Sequence, residues 1–412
     1  MELKLPIYVK SILKTLNDAG YDAYVVGGAV RDLILGIEPN DYDITTNATP
    51  DIVENLFADT IPTGKQYGTI SVLWHSEDGV STEIVEVTTY RKDSNYSDGR
   101  RPDEVTFGQS LEDDLLRRDF TINAMAYNPR EGLVDYFNGL DDIKSCIINC
   151  VGNAENRFKE DALRMLRAIR FACKYNFHIN LKTSEAVEKL YPNILKYVAK
   201  ERITKELIGI FTHLKHNAAH HITLSPYNKV MGLILNCKFN HMKYSSDLWS
   251  KLQFCNDWAF KLHLFIQYLD EPIKNIDDIL INLKFSTSDK NRIVNYNKIQ
   301  NFIEKGMDFT TEQNPKTRVL RNMFEPYYSM YISQLNEKNE LVRYYKLNKD
   351  YPYKVSDLVI TGDDIMAKGF KGEDVGKLLN FCMKMVISQP KLNKKEILEN
   401  FLTKENLNGV NI

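Results

Sequence analysis

The spacing of hydrophobic positions changes along the chain. In the first third, short apolar or alternating runs lie between stretches of helical period, and four of these runs predict strands, at residues 24–26, 41–44, 69–74 and 82–88. Helical spacing covers residues 5–19 and 50–58, and it dominates after residue 156. The pattern therefore predicts an α+β protein, with a small sheet flanked by helices at the N-terminus and a helical remainder.

The stretch at residues 21–46 combines a glycine turn with a pair of carboxylates. A buried strand ends at Gly27-Gly28, where the missing side chains let a backbone approach a bulky ligand. Alternation in a later strand places Asp41 and Asp43 on one face. Two carboxylates on one face repel unless a cation lies between them, and such oxygen ligands suit Mg²⁺ with substrate phosphates in its shell. The alternative is a glycine turn followed by a solvated acidic loop.

A third carboxylate is available in the strand predicted at residues 82–88. Glu83 and Glu86 lie three residues apart, so they point to opposite faces and only one of them can join the aspartate pair. We favour Glu86, and a solvent-facing glutamate is the alternative.

A polar segment and two adjacent arginines follow the predicted sheet. Residues 90–110 are charged, contain Gly-Arg-Arg-Pro and predict a long loop of the kind that often serves as a lid. The next predicted helix, residues 111–127, carries Arg117 and Arg118. Adjacent arginines in an acidic region suit a phosphate ligand. Salt bridges to the acidic residues just before them are the alternative.

A ridge of arginines lies along a helix predicted at residues 156–176. At about 100° per residue, the apolar residues fall on one side and the arginines on the other. These arginines are Arg164, Arg167 and Arg170, and Asp161 adjoins the first of them at i, i+3 spacing. Arginines along one ridge repel unless something anionic lies against them. The alternative is local pairing of Arg157 with Asp161 and of Glu160 with Arg164.

Two further stretches carry weaker signals. A histidine cluster lacks a carboxylate or cysteine that would complete a metal site, so we expect surface histidines. Its members are His213, His216, His220 and His221. Residues 357–379 hold four glycines between helical segments; they could offer backbone amides to a phosphate, and a plain helix–turn–helix connection fits equally well.

Composition sets bounds on the class of protein. The length of 412 residues suggests about two to four domains, and a hydrophobic content of 43% is ordinary for a globular chain. No run approaches the roughly eighteen apolar residues of a membrane span, and the N-terminus lacks the apolar core of a signal peptide. The six cysteines are sparse and show no metal-binding spacing, so we expect reduced thiols and a cytoplasmic location.

The net charge of −2 conceals an asymmetry. Residues 1–120 hold 11 Lys/Arg and 22 Asp/Glu, a net charge of −11, which leaves residues 121–412 with 42 and 33, a net charge of +9. An acidic N-terminal part suits metal binding, and a basic remainder suits a polyanion such as RNA. The alternative is an uneven surface charge without a partner.

Seven segments in chain order resemble one family. Across residues 20–207 the sequence reads GGAVRD, DYDITT, PTGKQYGT, VEVTTYR, RRDFTINAMAY, NRFKEDALRMLRAIRFA and KERITKEL. This ordered set resembles the class II tRNA nucleotidyltransferases, the CCA-adding enzymes of the polymerase-β-type nucleotidyltransferase superfamily. Residues 357–379 resemble that family less closely, and residues 210–345 match it only in being helical. The resemblance implies a mixed-sheet catalytic head at 1–145, a helical neck with a nucleotide-selecting helix at 146–207, a helical body at 208–345 and a tRNA-binding helical tail at 346–412.

The resemblance also implies roles for individual residues. Asp41 and Asp43 would hold Mg²⁺, with Glu86 as a candidate third catalytic carboxylate. The residues that would hold the nucleotide, mainly its triphosphate, are Gly28, Arg31 and Arg118. Those that would line the nucleotide pocket of the neck are Asp161, Arg164, Arg167 and Arg170. The implied reaction is attack by the 3′-hydroxyl of tRNA on the α-phosphorus of CTP or ATP, assisted by two metal ions and without a template, with release of pyrophosphate.

Hydrogen bonding explains how one Asp/Arg pair would accept two bases. Cytosine and adenine each present an exocyclic amino donor beside a ring nitrogen acceptor, whereas uracil and guanine present the reverse. A carboxylate at Asp161 can accept from the amino group, and a guanidinium at Arg164 can donate to the ring nitrogen. The pair would therefore accept C and A and reject U and G.

Several rival functions remain open. Addition of only A or only CC to tRNA and synthesis of poly(A) are close relatives of the same chemistry. The resemblance disfavours poly(A) synthesis because PTGKQYGTISVLW follows the CCA-adding pattern, and it disfavours CC-only addition because CC-only relatives lack the loop that residues 90–110 retain. A non-catalytic RNA-binding protein is the rival of another class, and the intact Asp41, Asp43 and Arg118 argue against it. No protein partner can be inferred.

Overall fold

The computed structural model describes residues 2–76, 79–94, 104–108, 110–215, 218, 220–237, 251–252, 255–267, 269, 273, 275–305 and 315–408. The chain divides into two compact units, Met1–Met242 with Asn282–Lys284, and Lys243–Ile281 with Phe285–Ile412. The first unit combines a sheet with helices, and the described part of the second is helical. The predicted α+β architecture is therefore confirmed, while the boundaries of the four predicted domains stay a prediction.

A mixed β-sheet lies at the centre of the first unit. The first nine strands of the described chain are β1 (Ala23–Val26), β2 (Asp43–Thr46), β3 (Thr60–Gly64), β4 (Thr69–His75), β5 (Thr82–Thr89), β6 (Arg91–Ser94), β7 (Glu104–Phe107), β8 (Ala126–Asn128) and β9 (Gly132–Val134). Seven of them form one sheet in the order β3–β4–β5–β2–β1–β8–β9. The β2–β5 pair is parallel and the other neighbours in this sheet are antiparallel. Four of these strands, β1, β2, β4 and β5, are the ones that the sequence predicts.

One face of this sheet is covered by helices α1 (Ile7–Asp18) and α3 (Pro50–Leu56). Residues of β1, β2 and β5 that alternate toward these helices, such as Val25, Ile44 and Val87, are fully buried. The opposite face is covered only at its β1–β8 half among the described residues, by a cluster that includes Leu111, Leu115 and Val151. On the β5–β4–β3 half of that face Ser71 is buried, but Ile84 is 60% exposed.

The edge of the sheet at β3 is irregular. Its register against β4 shifts between Ile61 and Gly64, and Pro62 lies between them, where the ring removes a backbone donor. The strand is five residues long. Its outer side therefore offers a short and interrupted row of backbone groups.

The stretch at residues 111–127 departs from the predicted helix. Helix α4 spans only Leu111–Leu116, with Ser110 accepting a hydrogen bond from the Asp113 amide at its start. A 3₁₀ turn at Thr121–Asn123 and strand β8 follow, so Arg117 and Arg118 lie beyond the helix. The apolar residues of this stretch are spaced for a helix, but two of them, Ala126 and Tyr127, pair with β1.

The segment at residues 90–110 is only partly a loop. Strands β6 and β7 pair in an antiparallel ribbon from Arg91–Phe107 to Ser94–Glu104, so the prediction of a segment without secondary structure is wrong at its ends. Residues 95–103 and 109 lie outside the described residues. Phe107 packs on Gly68, where a Cβ atom would meet its ring at 2.7 Å.

Most helices of the first unit come after the sheet in the sequence. Its helices, after α2 (Gly28–Ile34) and α4, are α5 (Gly139–Lys144), α6 (Ala154–Glu160), α7 (Leu163–Tyr175), α8 (Leu181–Leu190), α9 (Asn193–Tyr197), α10 (Lys200–His213), α11 (His220–Thr223) and α12 (Tyr227–Ile234). A two-stranded parallel pair, β10 (Ile147–Ile148) and β11 (His178–Ile179), interrupts them, so the predicted neck is not all helical. The single helix predicted at residues 156–176 is also wrong, because the chain leaves helical geometry at Asp161 and resumes it at Leu163.

The described part of the second unit consists of helices. They span Trp258–Gln267, Ile276–Asn282, Thr287–Glu304, Pro315–Phe324, Tyr327–Ser333, Glu340–Leu347, Gly362–Ala367, Glu373–Ser388, Lys395–Glu399 and Lys404–Asn408; Asn282 itself belongs to the first unit. The helix–turn–helix predicted at residues 357–379 is present, and its core includes Ile365, Leu378 and Cys382. Every helix in the described ranges is too short or too polar to cross a membrane.

Candidate active site

The turn after β1 brings a glycine against an arginine. Gly27 has φ +72° and ψ −127°, and helix α2 begins at the next residue. A Cβ atom on Gly27 would lie 2.7 Å from Arg118 Nη1, whereas one on Gly28 would meet Arg31 Nη2 at an ordinary 3.5 Å. Gly27 is therefore the glycine that this close approach requires, and the predicted contact of Gly28 with a nucleotide stays a prediction.

Three carboxylates lie near the start of β2. Asp43 begins the strand and pairs in register with Glu86 on β5, while Asp41 lies two residues earlier in exposed chain. Tyr42 and Ile44 are buried, so the alternation predicted from the sequence is present although the strand starts later than predicted. Burial raises the pKa of Asp43 to about 6, with Asp41 and Glu86 adding to the rise and Arg118 opposing it.

The carboxylate donors fit a divalent cation only in part. A cation would offset both the burial and the mutual repulsion that hold the pKa of Asp43 high. Within the described residues, however, no three carboxylate, imidazole or thiolate groups converge as a ready metal site. An ion held by Asp41 and Asp43 would therefore draw its remaining ligands from substrate phosphates and water, as Mg²⁺ commonly does.

Arg118 is held by a buried aspartate beneath it. Asp114 is 0% exposed and contacts Arg117 Nη2 at 2.6 Å and Arg118 Nη2 at 3.4 Å. Burial alone would raise the pKa of Asp114, but the two guanidinium groups bring it below its usual range. The salt bridges that were the alternative to a phosphate role are thus present. Arg118 Nε is nevertheless buried without a hydrogen-bond partner in the structure, so the side chain keeps a donor for an anion.

Arg31 has its partners inside the protein. It is 5% exposed, contacts Asp32 Oδ1 at 2.8 Å, donates to Asn123 Oδ1, and lies 4.8 Å from the centre of the Tyr175 ring. The Tyr175 hydroxyl in turn donates to Asp32 Oδ1 at 2.8 Å. Arg31 therefore joins α2 to α7, a role that no pattern in the sequence indicated, and its predicted contact with a nucleotide stays a prediction.

Each arginine of the α7 ridge has a carboxylate partner in the structure. The contacts are Arg164 Nη1 to Glu160 Oε2 at 2.7 Å, Arg167 Nη2 to Asp119 Oδ2 at 2.7 Å, and Arg170 Nε to Glu206 Oε2 at 2.6 Å. The first is the local pair that the sequence offered as an alternative. The other partners come from the segment after α4 and from α10. These two partners are Asp119 and Glu206. The sequence signals that could have identified them are the aspartate in RRDFT and, in KERITKEL, the i, i+4 spacing that puts Glu206 on the same helix face as Arg202.

Asp161 lies between two helices instead of on one. Its backbone is extended, with φ −146° and ψ 105°, and its Oδ1 accepts a hydrogen bond from the Leu163 amide at 3.0 Å. Arg202 Nη2 on α10 contacts its Oδ2 at 2.7 Å, and Arg157 Nη2 contacts Glu160 Oε1 at 2.7 Å, so the pairing of Asp161 with Arg157 that the sequence offered as an alternative is not the one formed. Asp161 is thus held in place by α10 and by the start of α7.

Asp119 connects the sheet region to α7. Its Oδ1 accepts from Asn123 Nδ2 at 3.0 Å and its Oδ2 from Arg167 Nε at 2.7 Å. Burial acts to raise the pKa of this carboxyl, but the charge of Arg167 and these hydrogen bonds lower it to about 2. The arginine-rich helix is therefore anchored to the segment that carries Arg118.

The histidine cluster is assembled differently from the prediction. The His221 ring is 2% exposed, with the rings of His220 and His178 centred 3.8 Å and 6.1 Å away. Burial lowers the pKa of His221 to about 3, and the neighbouring rings add to the shift. The expectation of surface histidines is wrong for His221, and His216 lies outside the described residues. Within the described ranges, no three donor groups come together here in a way that could hold a metal ion.

Comparison with known proteins places this geometry in a family. Residues 23–149 match the family model described as the poly A polymerase head domain. The CCA-adding enzyme of Lactobacillus helveticus is 35% identical over 97% of this chain and 98% of its own length. That of Staphylococcus aureus strain Mu3 is 46% identical over 52% of this chain and 54% of its own.

Solved structures agree with these relatives. The chain is similar to the Bacillus stearothermophilus CCA-adding enzyme in complex with CTP, with a TM-score of 0.73 and 25% identity over 98% of both chains. The Thermotoga maritima CCA-adding enzyme complexed with tRNA has the same fold, with a TM-score of 0.65 and 21% identity over 96% of this chain and 94% of its own. The 35% identity to the Lactobacillus helveticus enzyme, along nearly the whole length of both proteins, shows that this protein belongs to the CCA-adding enzymes, the tRNA nucleotidyltransferases that its sequence resembles.

Proposed function

We propose that this protein adds C, C and A in turn to the 3′ end of tRNA, using CTP and ATP without a template and releasing pyrophosphate. The observation that carries the proposal is the placement of Asp43 between Glu86 and the Gly27 turn, beside Arg118. Carboxylates, an anion-binding arginine and a glycine turn are the groups that nucleotidyl transfer requires at one point.

Asp41 and Asp43 are the residues that would hold Mg²⁺. The bound ions would supply Lewis-acid activation of the attacking hydroxyl and stabilisation of the leaving phosphate. Glu86 lies in register beside Asp43, so it is available to orient the attacking hydroxyl or an ion that serves it. With the carboxylates crowded together, the protein itself holds negative charge where a cation is needed.

Arg118 is the residue that would bind the triphosphate. Asp114 forms a salt bridge with the Arg118 guanidinium, and the Nε–H of Arg118 has no hydrogen-bond partner in the structure. Lys174 of α7 also lies within electrostatic reach of Asp41; burial lowers its pKa while Asp32 and Asp41 oppose the change. A cationic wall on this side of Asp43 suits a leaving pyrophosphate.

Asp161 and Arg164 are the residues that would read the base. Arg202 and the Leu163 amide hold Asp161, and Glu160 holds Arg164. A carboxylate and a guanidinium fixed in this way can discriminate by hydrogen bonding, because neither is free to turn toward a wrongly faced base. Arg167 and Arg170 lie further along the same helix and complete the pocket of the neck.

The basic part of the chain would bind the tRNA body. Residues 121–412 carry a net charge of +9, which favours a polyanion, and the resemblance places the tRNA contacts of the tail at residues 346–412. Since tRNA, CTP and ATP meet in the cytoplasm, we propose a cytoplasmic location. The free thiols of Cys146 and Cys150 are consistent with a reducing compartment.

Nucleotide addition to three tRNA substrates tests the function. Transcripts ending at the discriminator base, at C and at CC are incubated with labelled CTP or ATP and with both. A CCA-adding enzyme extends all three to CCA, an A-only enzyme extends only the last, and a poly(A) polymerase continues beyond the first A. No incorporation of either nucleotide would favour an RNA-binding protein without catalysis.

A further inference from the structure

Among the described residues, the catalytic carboxylates lie at the border between a half of one sheet face that a buried cluster covers and a half that carries exposed aliphatic side chains. Beyond Asp43 on one side, β1 and β8 pack under the cluster of Leu111 and Leu115. On the other side, β5, β4 and β3 present side chains of the same face as Glu86. These are Ser71 and Leu73 on β4, Ile84 on β5 and Ile61 on β3.

Three aliphatic side chains on this second half are at least partly exposed to solvent. Leu73 pairs directly with Ile84, and Ile61 pairs with Ser71, which itself pairs with Glu86. Ile84 is 60% exposed and Ile61 is 44% exposed, while Leu73 is half-buried. We call Ile61, Leu73 and Ile84 the aliphatic shelf. It begins next to Glu86 and runs away from β2.

The geometry of the reaction fixes the side from which the polynucleotide comes. Asp43 has Val26 and the Gly27 turn on its β1 side and Glu86 on its β5 side. Arg118, which would hold the leaving pyrophosphate, lies against Gly27. Attacking and leaving oxygens stand on opposite sides of the phosphorus in an in-line displacement. The attacking 3′-hydroxyl therefore arrives from the β5 side.

We propose that the aliphatic shelf supports the unpaired 3′-terminal nucleotides of the tRNA strand while its last hydroxyl lies at Glu86 and Asp43. Strands about 4.8 Å apart give β5, β4 and β3 together the length of about three stacked bases at about 3.4 Å each. The faces of bases are apolar and gain from lying on apolar side chains that would otherwise meet water. Aliphatic contact carries no base identity, which suits a surface over which both C and the discriminator base must pass. This inference rests on the proposed function.

Kinetics of an Ile84→Ser variant test the shelf, with Ile7→Ser as the matched control. Ile7 on α1 is a second exposed isoleucine, 72% accessible, outside the shelf. With tRNA ending at the discriminator base, we expect Ile84→Ser to raise the KM for tRNA by about three- to tenfold. The KM for CTP and kcat should stay within about twofold of the wild type, and Ile7→Ser should change none of the three. Ile84→Phe, which enlarges the stacking surface, should keep or lower the KM for tRNA.

The outcomes separate this proposal from the function beneath it. Equal KM values for tRNA in Ile84→Ser and Ile7→Ser, with an active wild type, overturn the shelf and leave the function standing. A lower kcat together with higher KM values for both tRNA and CTP in Ile84→Ser also overturns the proposal, because Ile84 would then act through Glu86. A KM for tRNA that rises in Ile84→Phe as much as in Ile84→Ser shows that another segment occupies the shelf. Absence of nucleotide addition by the wild type removes the function and the shelf together.

Discussion

The guanidinium of Arg118 occupies the space that a side chain at Gly27 would need. A Cβ atom there would lie 2.7 Å from Arg118 Nη1, and the residue also has φ +72°. Gly27→Ala therefore strains the backbone and displaces the arginine together. We expect a loss of about 1–3 kcal/mol in the free energy of unfolding and at least about a tenfold loss in kcat/KM for CTP.

Gly132→Ala separates the two effects. Gly132 has φ +86° at the start of β9, directly after the β8–β9 turn, and nothing lies within 4 Å of its Cβ position. The variant should lose similar stability in urea unfolding and keep its CTP incorporation. Equal kinetic losses in both variants would show that strain alone, and not Arg118, governs the activity.

Asp41 and Asp43 should each be indispensable for addition. Asp41→Asn and Asp43→Asn remove a negative charge where a cation is needed, so CTP and ATP incorporation should fall below detection while tRNA binding by filter assay stays near the wild type. Asp141→Asn, on exposed helix α5 with a partner in Lys144, is the control and should be fully active. Chelation with EDTA should abolish activity, and added Mg²⁺ should restore it. Turnover near the wild type in either site variant would remove the carboxylate pair from the mechanism.

Base choice should depend on Asp161 and Arg164. Asp161→Ala and Arg164→Ala should each lower the preference for CTP over UTP by about tenfold or more, since a wrongly faced group costs about 1–3 kcal/mol. Arg202→Ala should act in the same direction more weakly, because it frees Asp161 without removing it. Lys159→Ala, exposed on α6, is the control. The measurement is the ratio of kcat/KM for CTP and UTP, and an unchanged ratio in Asp161→Ala would return it to a purely structural role.

Addition of the final A should depend on residues 95–103. These residues lie within the loop at residues 90–110 that CC-only relatives lack, and β6 and β7 provide a stem that can be kept. Replacing residues 95–103 with a short Gly-Ser linker should leave addition of both cytidines within about twofold and cripple addition of adenosine. Separate assays on tRNA ending at the discriminator base and at CC measure the two steps. Equal loss of both would indicate general damage.

Two buried histidines should make stability fall in mild acid. Burial lowers the pKa of His221 to about 3 and of His263 to about 4. Between pH of about 6.5, the unfolded pKa, and about 4, the unfolded chain binds protons that the folded chain does not, so the free energy of unfolding falls by up to about 1.4 kcal/mol per pH unit per histidine. Urea unfolding at pH 7, 6 and 5 measures the slope. His221→Leu should flatten it for the first unit, and the same slope in His221→Leu as in the wild type would contradict the account.

The sequence predicts features whose causes are local. Alternation of apolar residues was enough to identify β1, β2, β4 and β5, and with them the facing of Asp41 and Asp43. Asp161 shows where local reasoning ends, because a residue in a helical pattern is held extended by Arg202, 41 positions away. Strand β8 was missed for the same reason, since only pairing with β1 gives its apolar residues a strand geometry. Arg31 likewise finds its partner ring, Tyr175, far along the chain.

The irregular edge at β3 lowers the tendency of the neighbouring exposed aliphatic side chains to promote aggregation. An intact edge beside exposed aliphatic side chains would invite a strand from another chain to extend the sheet and would promote aggregation. Because Pro62 has no N–H and the register shifts between Ile61 and Gly64, such a strand could not form a continuous row of backbone hydrogen bonds with β3. The irregular edge therefore keeps the aliphatic shelf accessible to a polynucleotide, because the backbone of β3 pairs poorly with a strand from another polypeptide.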